Sequence, residues 1–214
     1  MKIASIIRAR NRVKVSFDDD TFLFLNEDLI LREGLYKDCE ISGNQFQHLL
    51  DQSKILTAKE TSFRLLAKRQ HSVFELKNKL KQREFENGII EKIIGILTEL
   101  NYLNDKEFAE KFVDQKIRSG KTGINKIRQM LFKKGISRDI ISDILEKKTD
   151  KIEDAGNVKA LAVKKYRSIS SKTTDRNKLK MKIYNHLLSK GFSMELSRNT
   201  AIEIVNELST NNAV

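Results

Sequence analysis

The residues of this chain that could do chemistry are mainly its lysines and arginines. Forty-one basic and 29 acidic residues give a formal net charge of +12. The first 57 residues hold 8 basic against 9 acidic residues, so the positive excess lies after them. Ammonium and guanidinium groups neutralise phosphates without reading sequence, and they also bind acidic protein surfaces. The candidate partner- or DNA-binding residues are Arg64, Lys68, Arg69, Arg118, Lys121, Lys126, Arg128, Lys133, Lys134, Lys164 and Lys165.

Four aromatic residues near these cations could stack on nucleobases: Tyr102, Phe108, Phe112 and Phe132. Phe108 and Phe112 are four residues apart on an apolar helical face, which favours core packing. Tyr102 lies between two predicted helices, where packing between repeats is the favoured interpretation.

The pattern does not predict catalysis. His48, His71 and His186 fall one per region, and the single cysteine, Cys39, cannot form an internal disulfide. No spacing among them suits a metal ion or a nucleophile–base pair. We therefore expect no enzyme activity, no catalytic residue, no cofactor and no metal. The absence of a signal peptide and of an apolar run of transmembrane length predicts a cytoplasmic protein without a membrane partner.

The elements that would position the central cations lie in residues 100–136. Asn104 followed by Glu107 has the form of a capping box, which starts a helix at residue 105, and Ser72 followed by Glu75 is a second such pattern. Gly120 and Gly123 end this helix and begin the next, with Thr122 as the expected N-cap. Gly135 suits a left-handed helix stop.

The remainder of the chain has two characters. Alternating apolar residues between Ile3 and Phe24 predict short strands, with a turn at residues 18–20. Ser42 is expected to start a short helix, and helical periodicity continues from Ala58 onward. Residues 147–157 are charged and poor in apolar side chains, which makes them a linker candidate. Proline is absent, which favours uninterrupted helices.

The helical region contains an internal repeat. One apolar triplet recurs at offsets of 51 and then 56 residues, which predicts three copies of a three-helix unit. Glu84 occupies the position of Gly135 and Gly191, so the first copy lacks the glycine stop, and Thr200 replaces the isoleucine of the other copies. The three triplets are Leu76, Leu80 and Phe85, then Ile127, Leu131 and Ile136, then Ile183, Leu187 and Phe192.

These patterns predict a mainly α fold of tandem three-helix repeats, preceded by a small β-rich module. We expect the module to span residues 1–57. The repeats are predicted at residues 58–104, 105–148 and 149–209, and a disordered tail at 210–214.

The repeat text resembles the RecX family, whose members regulate the bacterial recombinase RecA. The resemblance covers about half of the chain tightly. It departs from the family where a proline is usual near Gln70 and His71, and where a glycine is frequent near Glu84. The matching segments include Arg64-Leu-Leu-Ala-Lys-Arg69, Ser72-Val-Phe-Glu-Leu-Lys-Asn-Lys-Leu80, Tyr102-Leu-Asn-Asp-Lys-Glu-Phe-Ala-Glu-Lys-Phe-Val113 and Lys134-Gly-Ile136.

The resemblance implies an elongated, curved protein that lies in the groove of a RecA–DNA filament. It implies inhibition of ATP hydrolysis and strand exchange, and so modulation of DNA repair and recombination. We expect a monomer that also binds single- or double-stranded DNA weakly and without sequence preference. Two alternatives remain: a DNA-binding protein that acts without RecA, and a structural adaptor that uses its repeats as a scaffold.

Overall fold

The computed structural model describes residues 1–9 and 12–210, and within them three strands precede ten helices. The chain divides into two compact units, Met1–Leu103 and Asn104–Val214. The prediction of a mainly helical repeat protein with a small β-rich N-terminal module is confirmed. Of the predicted tail, Thr210 ends the last helix, and residues 211–214 lie outside the described residues.

The N-terminal sheet is antiparallel, in the order β1 (Ile3–Ala9), β2 (Arg12–Phe17) and β3 (Phe22–Leu25). Its alternating apolar residues face one side and form a buried cluster. The predicted turn joins β2 to β3. There the Asp19 carboxylate accepts hydrogen bonds from the Thr21 hydroxyl and backbone, and these bonds lower the pKa of Asp19.

The sheet is followed by α1 (Glu27–Arg32) and α2 (Gly43–Leu66). Ser42 starts α2 as expected, through a capping box with Gln45. The prediction of a short helix here, separate from the one after residue 57, is wrong, because α2 continues for 24 residues. No proline or glycine interrupts it after its first residue, so nothing in the chain ends the helix earlier.

Helix α2 contributes to two hydrophobic cores. Leu49 in its first half packs into the cluster of the sheet. Ala58 and Leu65 in its second half pack with α3 (Val73–Lys81) and α4 (Asn87–Glu99). The expected boundary between residues 57 and 58 therefore lies inside one helix, whose apolar residues pack on the sheet cluster up to Leu50 and on the first repeat from Ile55 onward.

The second unit consists of six helices in two successive repeats. The linker expected at residues 147–157 is wrong, because the third of these helices continues to Ile152 and the next begins at Ala155. Asp154 caps the later helix through a bond from the backbone N–H of Asn157. The helices are α5 (Asp105–Ser119), α6 (Ile124–Lys133), α7 (Arg138–Ile152), α8 (Ala155–Ser170), α9 (Arg176–Lys190) and α10 (Met194–Thr210).

The repeat register is confirmed by burial. The first two members of each apolar triplet are fully buried, and each pair belongs to a separate cluster. The expected N-caps are also present. The side chains of Ser72 and Asn104 accept bonds from the backbone N–H groups of Glu75 and Glu107.

Left-handed stops follow the middle helix of every repeat. Gly135 and Gly191 have φ angles of +77° and +90°, as the pattern predicts. Glu84, which replaces glycine in the first repeat, adopts a φ angle of +63°. The turn geometry is therefore kept in all three repeats, although the left-handed region is unfavourable for a residue that carries a Cβ.

The core of the third repeat contains two polar residues on α10. Ser197 and Thr200 are buried at the positions that Ile141 and Ile144 occupy one repeat earlier. Among the described residues, the Ser197 hydroxyl has no hydrogen-bond partner. A buried polar group without a partner costs about 1–3 kcal/mol, so Ser197 weakens this core.

We expect Ser197→Ala to raise the free energy of unfolding by about 1 kcal/mol, because it removes the unpartnered hydroxyl and improves helix propensity. Urea titration followed by circular dichroism measures this change. Ser62→Ala is the matched control, since Ser62 is equally buried but donates to the Ala58 carbonyl at 2.8 Å. Equal stabilisation by the two variants would contradict the assignment.

Candidate polyanion-binding surface

Most of the predicted basic residues have their charged ends in solvent. Nine of the eleven are exposed, whereas Lys134 and Lys165 are half-buried. Arg64, Lys68 and Arg69 belong to the first unit, and the other eight belong to the second. The exposed residues are Arg64, Lys68, Arg69, Arg118, Lys121, Lys126, Arg128, Lys133 and Lys164.

Two of these cations have partners of their own in the structure. Arg69 pairs with Glu75 at 2.8 Å, and Lys134 lies over the rings of Phe108 and Phe112. The other nine form no ion pair with a carboxylate in the part of the chain that the structure describes. By contrast, Lys77 and Lys111 each contact a glutamate. The charge of these nine residues is therefore available to a partner.

The structure shows where this charge is concentrated. Residues 115–138, which include α6, contain eight basic residues and no aspartate or glutamate. Helices α8 and α9 also lack acidic residues, whereas α5, α7 and α10 carry all the helical carboxylates of the second unit. This separation of acidic residues from α6, α8 and α9 is visible in the sequence, and a choice of single basic residues does not capture it.

Two of these acid-free helices meet end to end. At the start of α6, the backbone N–H of Gly123 donates to the Lys190 carbonyl at 3.0 Å, and that of Asn125 donates to the Gly191 carbonyl at 2.9 Å. The first N–H groups and last carbonyls of a helix have no partner within it. Here the free groups of α6 and α9 satisfy one another.

This backbone contact requires glycine on both sides. A Cβ on Gly123 would overlap the backbone of Gly191 and Phe192, and a Cβ on Gly191 would overlap Lys126. The prediction of Thr122 as N-cap is wrong, because Gly123 occupies that position. A capping side chain is unnecessary there, since α9 supplies the acceptors.

Two further contacts hold the second and third repeats together. The Glu153 carboxylate at the end of α7 accepts bonds from the Ser193 backbone N–H at 2.9 Å and the Ser193 hydroxyl at 2.8 Å. The side chain of Asn157 packs directly against Gly120. A Cβ added to Gly120 would lie only 2.7 Å from the Asn157 Oδ1 atom. The junction thus fixes the acid-free helices relative to each other.

Positive charge also accumulates around His186 on α9. Burial lowers the pKa of this histidine, and the nearby ammonium groups of Lys165 and Lys190 lower it further. Lys190 directly precedes Gly191, which contacts Lys126. The predicted residue Lys126 therefore lies at the contact of α6 with α9, and the predicted residue Lys165 lies near His186 of α9.

The four aromatic residues have different environments. Phe108 and Phe112 belong to the core of the second repeat, as expected. Tyr102 contacts the ring of Phe63 edge-on within the first unit and remains 56% exposed. Phe132 is 58% exposed and lines a cavity with Arg128 and other residues of α6 and α7.

The remaining candidates for chemistry lie in structural positions. His71 is buried between α2 and α3, where its Nδ1 lies 2.9 Å from the Arg69 carbonyl and burial lowers its pKa. Cys39 is half-buried against the sheet. Within the described residues, no group of three or more His, Cys, Asp or Glu side chains could hold a metal ion. Likewise, no described helix is long and apolar enough to span a membrane.

The fold and its surface define a class: a tandem three-helix-repeat protein with acid-free helices in its last two repeats. Family profiles described as the first, second and third three-helix domains of RecX match residues 58–96, 104–145 and 153–199. The chain belongs to the RecX family of regulatory proteins.

Individual relatives support this membership along nearly the whole chain. The chain is 32% identical to regulatory protein RecX of Clostridium perfringens (strain SM101 / Type A), over 96% of this chain and 97% of the relative. It is also 32% identical to the protein of that name from Clostridioides difficile (strain 630), over 96% and 95% of the two chains.

Solved structures show the same fold. A crystal structure of regulatory protein RecX superposes with a TM-score of 0.73 at 23% identity, over 96% of this chain and 98% of that one. The structure of RecX from Lactobacillus salivarius gives a TM-score of 0.61 at 30% identity, over 71% of this chain and 96% of the other.

Proposed function

We propose that this protein binds the RecA–DNA filament and inhibits the recombinase ATPase and strand exchange, thereby modulating DNA repair and recombination. It acts in the cytoplasm as a monomer. One observation supports this most strongly: the acid-free helices α6 and α9 meet end to end, and within the described residues the α6 cations Lys126, Arg128 and Lys133 have no carboxylate partner. Such a surface suits a repetitive negative partner, which a filament on DNA provides.

Within this proposal, the eleven predicted basic residues supply most of the attraction. Their charges would neutralise phosphates or meet acidic patches of the recombinase, and both contributions weaken as salt increases. The three-helix cores of the second and third repeats fix the positions of the eight that belong to the second unit. Membership of the RecX family supports the recombinase filament as the partner in preference to an unrelated polyanion.

We expect the protein to lower the ATPase and strand-exchange rates of its cognate RecA at substoichiometric to stoichiometric amounts. The companion measurement is its affinity for bare single strands, bare duplex and RecA-coated DNA at two salt concentrations. Tighter binding to RecA-coated DNA supports the proposal, and unchanged ATPase and strand-exchange rates would contradict it.

The same exposed cations also suit a second function, sequence-independent DNA binding without RecA. That alternative predicts salt-dependent binding to bare DNA and no gain in affinity when RecA coats it. The affinity comparison therefore separates the two functions directly.

A further inference from the structure

A cavity of about 350 Å³ lies between α6 and α7 in the second repeat. Small-molecule pockets start at about 300 Å³, so this space is large enough for a single ring system. Its lining combines one aromatic ring, two guanidinium groups, two neutral polar side chains and one aliphatic side chain. The lining residues are Arg128, Gln129, Phe132, Arg138, Ile141 and Ser142.

Phe132 is not required by the repeat core. Its neighbour Leu131 is fully buried in the shared apolar register, whereas Phe132 leaves 58% of its surface exposed. The corresponding positions are Lys81, which is exposed, one repeat earlier and Leu188, which is half-buried, one repeat later, so no other repeat has an aromatic ring here. The aromatic ring of Phe132 therefore exposes more apolar surface than the repeat requires at this position.

The charge of the cavity has one sign. Arg128 and Arg138 both line it, and no aspartate or glutamate does. Neither arginine forms an ion pair within the described residues, although one Arg128 Nη group donates to the Asn125 side chain at 3.2 Å. Arg138 is the first residue of α7, and the partial positive charge of a helix N-terminus adds to its own.

We propose that this cavity binds one nucleobase of single-stranded DNA, stacked on Phe132, with the flanking phosphates held by Arg128 and Arg138. Gln129 and Ser142 offer donors and acceptors that tolerate any base edge, so the site selects single strands and not a sequence. A paired base in a duplex is stacked on its neighbours and cannot reach the ring. This inference rests on the proposed function for its choice of DNA as the ligand.

The protein contains no tryptophan, so Phe132→Trp creates a unique fluorescent reporter in the cavity. We expect an oligothymidylate to quench this fluorescence, and an abasic oligonucleotide of equal length and charge to leave it unchanged. Phe74→Trp on α3 is the matched control, because Phe74 is also an exposed phenylalanine, at 47%. Equal quenching at the two positions would overturn the inference.

Affinity supplies the second readout. Phe132→Ala should weaken oligothymidylate binding about tenfold and leave binding to the abasic strand unchanged, since only stacking is removed. Equal loss with both ligands would overturn the inference. A loss confined to RecA-coated DNA would also overturn it, and would assign the cavity to a side chain of the recombinase. Circular dichroism of each variant checks that the fold is retained.

The outcomes separate this inference from the proposed function. Inhibition of RecA without base-dependent quenching refutes the stacking site and leaves the regulatory role standing. Base-dependent quenching without any effect on RecA activity supports the stacking site and refutes the regulatory role.

Discussion

Gly123→Ala is expected to lower the free energy of unfolding by about 3 kcal/mol. The added methyl would overlap the backbone of Gly191 and Phe192, and overpacking of this kind typically costs 1–3 kcal/mol. Separating the two helix ends would also break the bonds from the Gly123 and Asn125 N–H groups, each worth about 1 kcal/mol. Urea titration monitored by circular dichroism measures the loss.

Gly95→Ala is the matched control for this substitution. Gly95 lies inside α4, and nothing comes within 4 Å of the position where its Cβ would be. Because alanine favours helix by about 1 kcal/mol over glycine, this variant should be more stable than the parent protein. If Gly123→Ala were also neutral or stabilising, the close contact of α6 with α9 would not exist in solution.

Replacing Lys121, Lys126 and Lys133 together by glutamine should weaken binding to RecA-coated DNA at least tenfold. All three are exposed and lie in the acid-free segment, and the last two are seven residues apart on one face of α6. Affinity falls as salt increases, and each lost phosphate contact makes the slope of log affinity against log salt shallower by about 0.7–0.9. We therefore expect the magnitude of this slope to decrease by about two in a fluorescence-anisotropy titration.

The control for this triple variant removes the same charge from a different setting. Lys77, Lys111 and Lys147 each already pair with a carboxylate. Their replacement by glutamine should change the affinity less than threefold, a difference below about 1 kcal/mol. A similar loss from both triple variants would show that net charge alone drives binding, and would contradict a localised surface on the acid-free segment 115–138.

Local signals in the sequence were sufficient for much of the fold. Ser72 and Asn104 were identified as caps because a cap is defined by residues three positions apart. The repeat register was predictable because burial recurs at constant offsets in three separate cores. Gly191 was recognisable as a stop because glycine adopts the left-handed conformation at little cost.

Features that depend on distant residues could not be predicted in this way. Gly123 has the same local meaning in sequence as any turn glycine, and its contact with Gly191 joins residues 68 positions apart. The sequence predicts two helices in place of α2, because the apolar residues of its two halves belong to different cores. The cavity at Phe132 depends on the packing of α7 against α6, which the apolar pattern of either helix alone does not define.

The continuity of α2 has a consequence for how the first unit unfolds. Because Leu49 and Ala58 lie on the same helix but in different cores, unwinding that helix removes packing from both the sheet and the first repeat. The N-terminal module and the first repeat should then exchange their amide hydrogens as one cooperative unit. Removal of residues 1–57 would also start the remaining helix without its Ser42 cap, so this truncation is a poor way to isolate the repeats.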